Sequence, residues 1–369
     1  MNLEELRNDI DRIDERLLSL LEERMEKALL ARTFKPDGIR DPEREESVLE
    51  RARRPLRPLV SPDFAGGLWS RIMEESRSIQ AERLTTIGFQ GAHGAWSEVA
   101  ARAWSPALAT MPCPDFADVF QAVRDGLFDY GIVPVENTLG GLVGQVNSLL
   151  VYADLRIVAA IDLPVSHCLL TLPGTDHRDI RQVYSHEQAL SQCRGFLSRN
   201  RLDPMPYFDT AGAARMIAEE RPRAAAALAS RFAGELYGLE TIKEGVQDAE
   251  VNRTRFFVLS RRGEVPSPAF AEAIASQKGL SAPLMKCSVV FNATDKAGGL
   301  FGILEIFAKT GINLTRIESV PDKPGDYAIF IDFEGEEDDP KVATAIKASE
   351  GIARGFRVLG CYGERRVSQ

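Results

Sequence analysis

Two cations stand where the opening helix should carry apolar side chains. Leu3, Leu6, Ile10, Ile13, Leu17 and Leu20 recur in alternating steps of three and four on a charged background, which predicts an amphipathic helix from Leu3 to about Lys35. Continued past Leu20, the same steps land on Arg24, and Lys35 faces the same way about three turns further on. Cations on the buried side of a helix are costly unless something anionic meets them. They can snorkel at a bundle end, bridge to glutamates of a neighbouring helix, or await an anionic ligand. Nearby, Arg7 sits one position off the stripe, and Asp41, Arg44 and Glu45 cluster where a second helix should start. Ser76 and Gln80 lie four apart on one face of a third. This set offers charges and hydrogen-bond donors, the means to position and stabilise a charged reactant.

A second group follows an abrupt change of texture at Thr85. Gly88, Gly91 and Gly94 are three apart, between a strand and a helical run beginning near Ser97. The spacing is not GxGxxG, so a dinucleotide fingerprint is unsupported; the loop is either an ordinary tight turn or a presenter of backbone N–H groups to a carboxylate. Val133-Pro134-Val135 opens into Glu136-Asn137-Thr138-Leu139-Gly140-Gly141, polar residues at an expected helix entry. Asn252-Arg253-Thr254-Arg255-Phe256-Phe257 is a polar loop feeding an apolar strand. Metal chemistry has little to build on: the chain has four histidines, and His186-Glu187-Gln188-Ala189-Leu190 fails HExxH at its last position. Cys113, Cys168, Cys193, Cys287 and Cys361 are widely spaced without a CxxC pair and are expected to be reduced, mostly structural thiols.

The elements that carry these residues need several domains, since 369 residues at about 100–200 per domain suggest two to four. A net charge of −9 disfavours nucleic acid as a partner, because phosphate binding normally draws on a basic excess. The N-terminus has no basic-then-apolar leader and no run of 18 apolar residues occurs, so a cytoplasmic protein without membrane contact is expected. Residues 1–84 read as three helices, broken at Pro36-Asp37-Gly38 and at Pro55 and Pro58, the second opening at Asp41-Pro42 and the third running from Ser61 to Arg83. Residues 85–262 alternate short β-rich runs with helical ones, the pattern of α/β layers. Residues 263–285, with Pro266, Pro268 and Pro283, read as a linker. Residues 286–369 give strand, helix, strand, strand, helix, strand, a ferredoxin-like α+β order.

Arg7, Arg24, Lys35, Asp41, Arg44, Glu45, Ser76 and Gln80, within residues 3–83, resemble in order the active-site set of the all-helical chorismate mutase family, without a departure. The resemblance implies rearrangement of chorismate to prephenate in one pericyclic step. It implies that Arg24 and Arg7 clamp the two carboxylates, Arg7 reaching over from a partner subunit. Lys35 and Gln80 would donate to the ether oxygen and Glu45 would hold the ring hydroxyl, with Asp41, Arg44 and Ser76 completing the binding set.

Gly91 to Ser97, Val133 to Thr138, His167-Cys168-Leu169-Leu170, Tyr184-Ser185-His186 with Gln188-Ala189-Leu190, Gln247-Asp248 and the Thr254 stretch are together similar to prephenate dehydratase over about residues 85–262. That family has two α/β lobes of the periplasmic-binding-protein-like kind around a cleft. The chain would leave the first lobe near Leu163 and return near Leu239, bringing Thr254 to the cleft. The resemblance implies that prephenate loses its ring hydroxyl as water and its ring carboxylate as CO2. Thr254 would be a positioned donor or relay to that hydroxyl, with Arg255, Ser97, Asn137 and Thr138 binding substrate. Arg253 stands where the family has Phe, and Glu187 where it has Pro.

Asp295-Lys296-Ala297-Gly298-Gly299-Leu300 and Thr315 to Pro321 resemble the ACT regulatory domain, which binds phenylalanine through a Gly-Ala-Leu-Val loop and a Glu-Ser-Arg-Pro stretch. Gly298-Gly299-Leu300-Phe301 and Glu318-Ser319-Val320-Pro321 depart from these at Gly299, Phe301 and Val320. The resemblance implies a regulatory set of Gly298, Gly299, Leu300, Glu318 and Ser319 with L-phenylalanine as effector; the other reading is a dimerisation module. Taken together, the resemblances imply a bifunctional enzyme of phenylalanine biosynthesis without cofactor or metal, at least a homodimer, with chorismate and prephenate as substrates. Two alternatives stay open: a non-catalytic two-lobed amino-acid sensor, and a dehydratase preferring arogenate.

Overall fold

Proline and a capping side chain start both short helices of the N-terminal region. A computed structural model of the chain describes residues 2–35, 38–54, 58–264, 271, 279–292, 298–321 and 326–368. Helix α1 spans Leu3–Thr33, α2 Pro42–Ala52 and α3 Pro62–Glu82. Asp41 caps α2 by accepting from the Arg44 N–H, and Ser61 caps α3 by accepting from Phe64 N–H. Pro36-Asp37, Pro55, Pro266, Pro268 and Asp295–Ala297, singled out in the sequence, lie outside the described residues. Helix α3 buries Ile72, Met73, Ser76 and Gln80, whereas Ile10, Ile13, Leu17 and Leu20 of the α1 stripe are each more than half exposed on this single chain.

The described chain divides into two compact units, 1–85 and 86–369. In the second, β1 (Thr86–Gln90), α4 (Trp96–Trp104), β2 (Ala109–Cys113), α5 (Phe116–Arg124), β3 (Tyr130–Asn137), β4 (Gly141–Leu142), α6 (Gly144–Tyr152) and β5 (Leu155–Pro164) build a first lobe. A second lobe follows. It comprises β6 (Cys168–Thr171), β7 (Gln182–Ser185), α7 (Glu187–Gln192), α8 (Arg194–Arg199), β8 (Asp203–Pro206), α9 (Thr210–Glu220), β9 (Ala225–Ala229), α10 (Arg231–Leu236) and β10 (Glu240–Lys243). Its five strands run in the order β10-β6-β9-β7-β8. The chain returns only with β11 (Arg253–Arg261), not near Leu239, because β10 still pairs with β6. The expected helix entry after Val135 is instead a turn into β4, and α6 starts three residues later than that stretch ends.

β11 lies antiparallel between β5 and β3. The C-terminal module contributes β12 (Leu284–Asn292), α11 (Gly299–Thr310), β13 (Leu314–Pro321), β14 (Tyr327–Glu334), α12 (Pro340–Glu350) and β15 (Arg354–Arg366), the expected order. β15 runs five residues past Cys361 and pairs in parallel with β5, so one sheet continues β13-β14-β12-β15-β5-β11-β3-β1-β2 through both parts. Gly360 permits this contact, since a Cβ there would sit 2.1 Å from the Ile157 carbonyl oxygen. The expectation of reduced thiols fails at Cys287 and Cys361. They lie directly opposite in the β12–β15 register and form a disulfide, a proximity that 74 residues of separation conceal. The other three cysteines are buried and outside any disulfide, and burial pushes the Cys168 thiol up to about 11 and the Cys193 thiol up to about 12.

The loop from β1 to α4 is pinned by Glu98, a fully buried carboxylate. It accepts from Gly94 N–H at 2.7 Å, Thr110 Oγ1 at 2.9 Å and Arg102 Nε at 3.1 Å, with His93 Nδ1 at 3.3 Å. Burial alone would raise its pKa; His93, the Gly94 amide and Thr110 outweigh it and hold the group below the ordinary value of 4.5. Since the folded value is depressed, the linked stability is present above about pH 4.5 and is lost as pH falls through the folded value. We expect Glu98→Gln to destabilise the second unit by about 1–3 kcal/mol at pH 7, and by less below pH 4. Thermal melts of both proteins at the two pH values check this; an equal gap at both would refute it.

Candidate active sites

A cavity of about 600 Å³ opens among the three N-terminal helices. Arg24, Lys35, Asp41, Arg44, Glu45, Ser76 and Gln80 all line it. Ser76 holds Arg24, accepting from its Nη1 at 2.5 Å while donating to the Ile72 carbonyl, and burial lowers the Arg24 pKa. Lys35 Nζ donates to the Ile39 carbonyl at 3.1 Å. Glu45 meets Arg77 at 2.7 Å, and the Asp41 carboxylate is engaged at the start of α2. Gln80 is 5% exposed and its Oε1, an acceptor, has no hydrogen-bond partner; with the amide turned over, the same position presents Nε2 as a donor to a ligand. Sequence reasoning missed Lys27, Arg51 and Arg77, which also line the cavity. Arg51 had a signal, seven residues and about two turns beyond Arg44 on one helix face. Arg7 does not line it: along α1 it lies 17 residues from Arg24, about 25 Å. Six cations thus face two carboxylates, a surplus suited to a dianion.

The second unit holds a cleft of about 690 Å³ lined by residues of both lobes, among them Ser97, Asn137, Gln192 and Thr254. No described Lys or Arg lines it. Five helices begin there instead, α4 at Trp96 and Ser97, α5 at Phe116, α6 at Gly144 and Gln145, α7 at His186 and Gln188, and α9 at Thr210. Asp209 caps α9, and Asp115 and Asp118 occupy the start of α5. α4 and α6 open at Ala95 and Val143 with no side-chain cap, so their first-turn N–H groups are available to an anion; the α4 dipole end already faces the Glu98 carboxylate, whereas that of α6 has no acidic side chain in its first turn.

Thr254 is held by an amide network. The Leu139 and Gly140 N–H groups donate to Asn137 Oδ1, which fixes the orientation of that amide and leaves Nδ2 to donate to Thr254 Oγ1 at 2.9 Å and Asn252 Oδ1 at 2.8 Å. With an acceptor position of Oγ1 occupied, the threonine proton is free to serve a partner in the cleft. Gln192 Oε1 accepts from Asn252 and faces His167 Nε2 at 2.9 Å, so His167 carries its proton on Nε2. His167 is 2% exposed, burial lowers its pKa, and its Nδ1 has no partner, nor does Trp96 Nε1 at the same wall. Asn252, Gln192, Trp96 and the role of His167 escaped sequence reasoning, because the partners are brought together from distant segments.

Arg255 and Thr138 depart from the expected substrate lining. Thr138 accepts from Arg253 N–H and, with Arg255, borders a separate cavity of about 300 Å³ on the other side of the sheet. Strand alternation compels this, since Thr254 and Arg255 are successive residues of β11. Arg253, the unusual residue, pairs with Asp162 at 2.9 Å. Gly298, in a left-handed conformation, starts α11 with Gly299 and Leu300 in its first turn. Glu318 and Ser319 are neighbours on β13 and so face opposite ways, and Glu318 borders the small cavity.

The fold and sites define a two-centre chain: a helical, cation-lined pocket and a two-lobed cleft built on helix N-termini, followed by a β-α-β-β-α-β module. Family models match in the same order, chorismate mutase type II over residues 6–81, prephenate dehydratase over 87–264 and ACT domain over 288–351. The chain is 33% identical to a bifunctional chorismate mutase/prephenate dehydratase of Aquifex aeolicus, over 98% of this chain and 97% of that one. It is 37% identical to arogenate dehydratase/prephenate dehydratase 2 of Arabidopsis thaliana, over 75% of this chain and 72% of that one. Among solved structures, prephenate dehydratase of Arthrobacter aurescens in complex with L-Phe matches with 30% identity and a TM-score of 0.65, covering 75% of this chain and 90% of that one. The chain belongs to the bifunctional chorismate mutase/prephenate dehydratase family.

Proposed function

We propose that this chain converts chorismate to prephenate in the helical pocket and prephenate to phenylpyruvate in the cleft, under inhibition by L-phenylalanine. The observation that carries this is the convergence of Arg24, Lys35, Arg44, Glu45, Ser76 and Gln80 on one cavity in a chain that also presents Thr254 in a second. Rearrangement of chorismate breaks an ether C–O bond as a C–C bond forms, so the protein must fold the dianion and stabilise charge growing on the ether oxygen. Arg24 and Arg44 hold carboxylates, Lys35 and Gln80 donate to the ether oxygen, and Glu45 accepts from the ring hydroxyl. A million-fold acceleration needs about 8 kcal/mol of such stabilisation. The exposed Ile10–Leu20 stripe supports a dimer through α1, and Arg7 is assigned to the pocket of the second copy.

In the cleft the ring hydroxyl leaves as water while the ring carboxylate leaves as CO2, and aromatisation drives both. Hydroxide departs poorly without a proton, and Thr254 Oγ1, held by the Asn137 amide, donates a hydrogen bond that positions the leaving oxygen while the proton that completes the water comes from solvent, through the threonine hydroxyl as a relay that gains one proton as it gives one up. The open first turns of α4, including Ser97, and of α6 receive the substrate carboxylates. We assign L-phenylalanine to the C-terminal module through Gly298, Gly299, Leu300, Glu318 and Ser319, supported by the L-Phe complex of the Arthrobacter aurescens relative. No described helix is long and apolar enough to cross a membrane. We assign a cytoplasmic location on the three buried cysteines that stay outside any disulfide, set against the single Cys287–Cys361 bridge.

Purified protein given chorismate should yield prephenate and then phenylpyruvate, with the second step inhibited by L-phenylalanine; an arogenate arm reads the competing substrate. Lys35→Ala should lower the first rate by at least 100-fold, about 3 kcal/mol, and leave conversion of added prephenate intact. Thr254→Ala should accumulate prephenate. Near-normal rates in either variant would refute the assigned role, and no turnover of any substrate would favour a sensor. Salt should also separate the sites: raising ionic strength from about 0.05 to 0.5 M should raise KM for chorismate severalfold and that for prephenate much less. Equal salt dependence in steady-state assays would contradict the contrast between cationic pocket and amide-lined cleft.

A further inference from the structure

The strand that presents Thr254 to the cleft presents Arg255 to a buried charge cluster behind it. The Arg255 side chain is 8% exposed; Nη1 donates to Asp332 Oδ2 at 2.5 Å and to Glu136 Oε1 at 3.2 Å, and Nε to Glu364 Oε2 at 2.5 Å. Nη2 donates to the Tyr362 hydroxyl at 3.0 Å. Asp332 lies on β14, and Glu364 and Tyr362 on β15, all in the C-terminal module, whereas Glu136 lies on β3 of the cleft lobe. Arg316 of β13 enters the same cluster, 3.6 Å from Glu136 and 3.7 Å from Asp332, and Lys286 meets Glu364 at 2.5 Å. Three cations therefore face three carboxylates across the junction of the two modules.

We propose that this cluster is the relay by which the C-terminal module sets the geometry of the dehydratase cleft, with Arg255, Glu136 and Arg316 as its positioning residues. The proposal rests on the dehydratase reading of the cleft and on L-phenylalanine as effector. Two paths lead from the cluster to groups that line the cleft. In the first, Arg255 pairs in register with Glu136, and the neighbouring register pair is Thr254 with Asn137. A displacement of Asp332 or Glu364 that pulls on Arg255 is thus one residue from the threonine hydroxyl and the amide that orients it. The β11–β3 ladder shifts register between Arg255 and Phe256, so the backbone can adjust there without tearing the rest of the sheet.

The second path starts on β13, two residues before Glu318. Arg316 Nη2 donates to Asn147 Oδ1 at 2.6 Å, and Asn147 Nδ2 donates to the carbonyls of Val135 and Val143, each at 3.0 Å. Val143 precedes the first turn of α6, whose Gly144 and Gln145 line the cleft. Arg316 Nε and Nη1 are buried without a hydrogen-bond partner. Closing either gap, to Glu136 or to Asp332, needs a movement of roughly 0.5–1 Å. The cluster therefore has a second arrangement at hand, as a two-state coupling element requires.

The test uses the full-length protein with prephenate as substrate and direct measurement of L-phenylalanine binding by calorimetry. In the wild type, L-phenylalanine must bind and inhibit; if it does neither, the function proposed above fails and the relay is not at issue. Glu136→Gln, at a partly exposed position, and Arg255→Lys, which keeps the charge but loses the forked contacts, should both bind L-phenylalanine within about threefold of the wild type. Each should need at least tenfold more L-phenylalanine for half-inhibition, or plateau below half-inhibition, while the thermal melt of the second unit stays close to that of the wild type as a check on folding. By reciprocity, saturating prephenate analogue should weaken L-phenylalanine binding in the wild type and fail to do so in the variants, an effect that simple destabilisation does not produce. Glu136→Asp should restore part of the response. Wild-type inhibition curves in both folded variants would overturn the relay.

Discussion

The period of two in an extended strand is the constraint on which the second unit depends. β11 is bracketed by β5 and β3, and its successive side chains serve different regions. Thr254 and Phe256 line the cleft, while Arg255 and Phe257 face the junction, with the Arg255 guanidinium 4.8 Å from the Phe257 ring centre and Tyr362 edge-on to the same ring. A slip of one residue would place the arginine in a cleft that otherwise has no described cation and bury the threonine among carboxylates. Registers with two partner strands, each fixed by its own core residues, forbid that slip.

The two cavities offer anionic ligands two physically different means of binding despite a net charge of −9. The helical pocket concentrates six cations, suiting a rearrangement in which both carboxylates survive and charge grows on an ether oxygen. The cleft offers instead the uncapped first turns of α4 and α6. Where one carboxylate must leave as neutral CO2, a full positive charge beside it would stabilise the reactant more than the transition state. Partial charges of helix ends hold the anion with less of that penalty. Local field, not net charge, governs each site.

Residues that break a local rule were legible in the sequence. Arg24 and Lys35 interrupt an apolar stripe, and Asp41-Pro42 and Ser61-Pro62 punctuate helices, so the helical unit and its pocket could be read almost entire. The face of Arg255 was legible too, since alternation opposes it to Thr254, but the likeness to a known motif drew both toward the substrate. The amide network was not legible. Asn137, Gln192 and Asn252 are ordinary polar residues until the return of the chain through β11 brings them within hydrogen-bond reach. Lys27 and Arg77 look like solvated charges on charged helices until three helices close around them. The Cys287–Cys361 pair likewise depends on a strand register set by distant residues.

The departure at Arg253 and the long last strand are one feature. Asp162 of β5 accepts from Arg253 Nε and from Arg366 Nε, each at 2.9 Å, while Arg253 Nη2 also reaches the Val367 carbonyl and Val367 N–H returns to the Asp162 carbonyl. A phenylalanine at 253 would leave Asp162 to a largely exposed Arg366 alone and the Val367 carbonyl without that donor. The arginine therefore fastens the end of β15 beside β5, whose edge would otherwise be open for pairing with another chain. Because Arg253 adjoins Thr254 on the same strand, the contact that ties down the C-terminal module also fixes the backbone that carries the cleft threonine. The geometry of the cleft wall and attachment of the C-terminal module thereby meet in three consecutive residues, Arg253, Thr254 and Arg255.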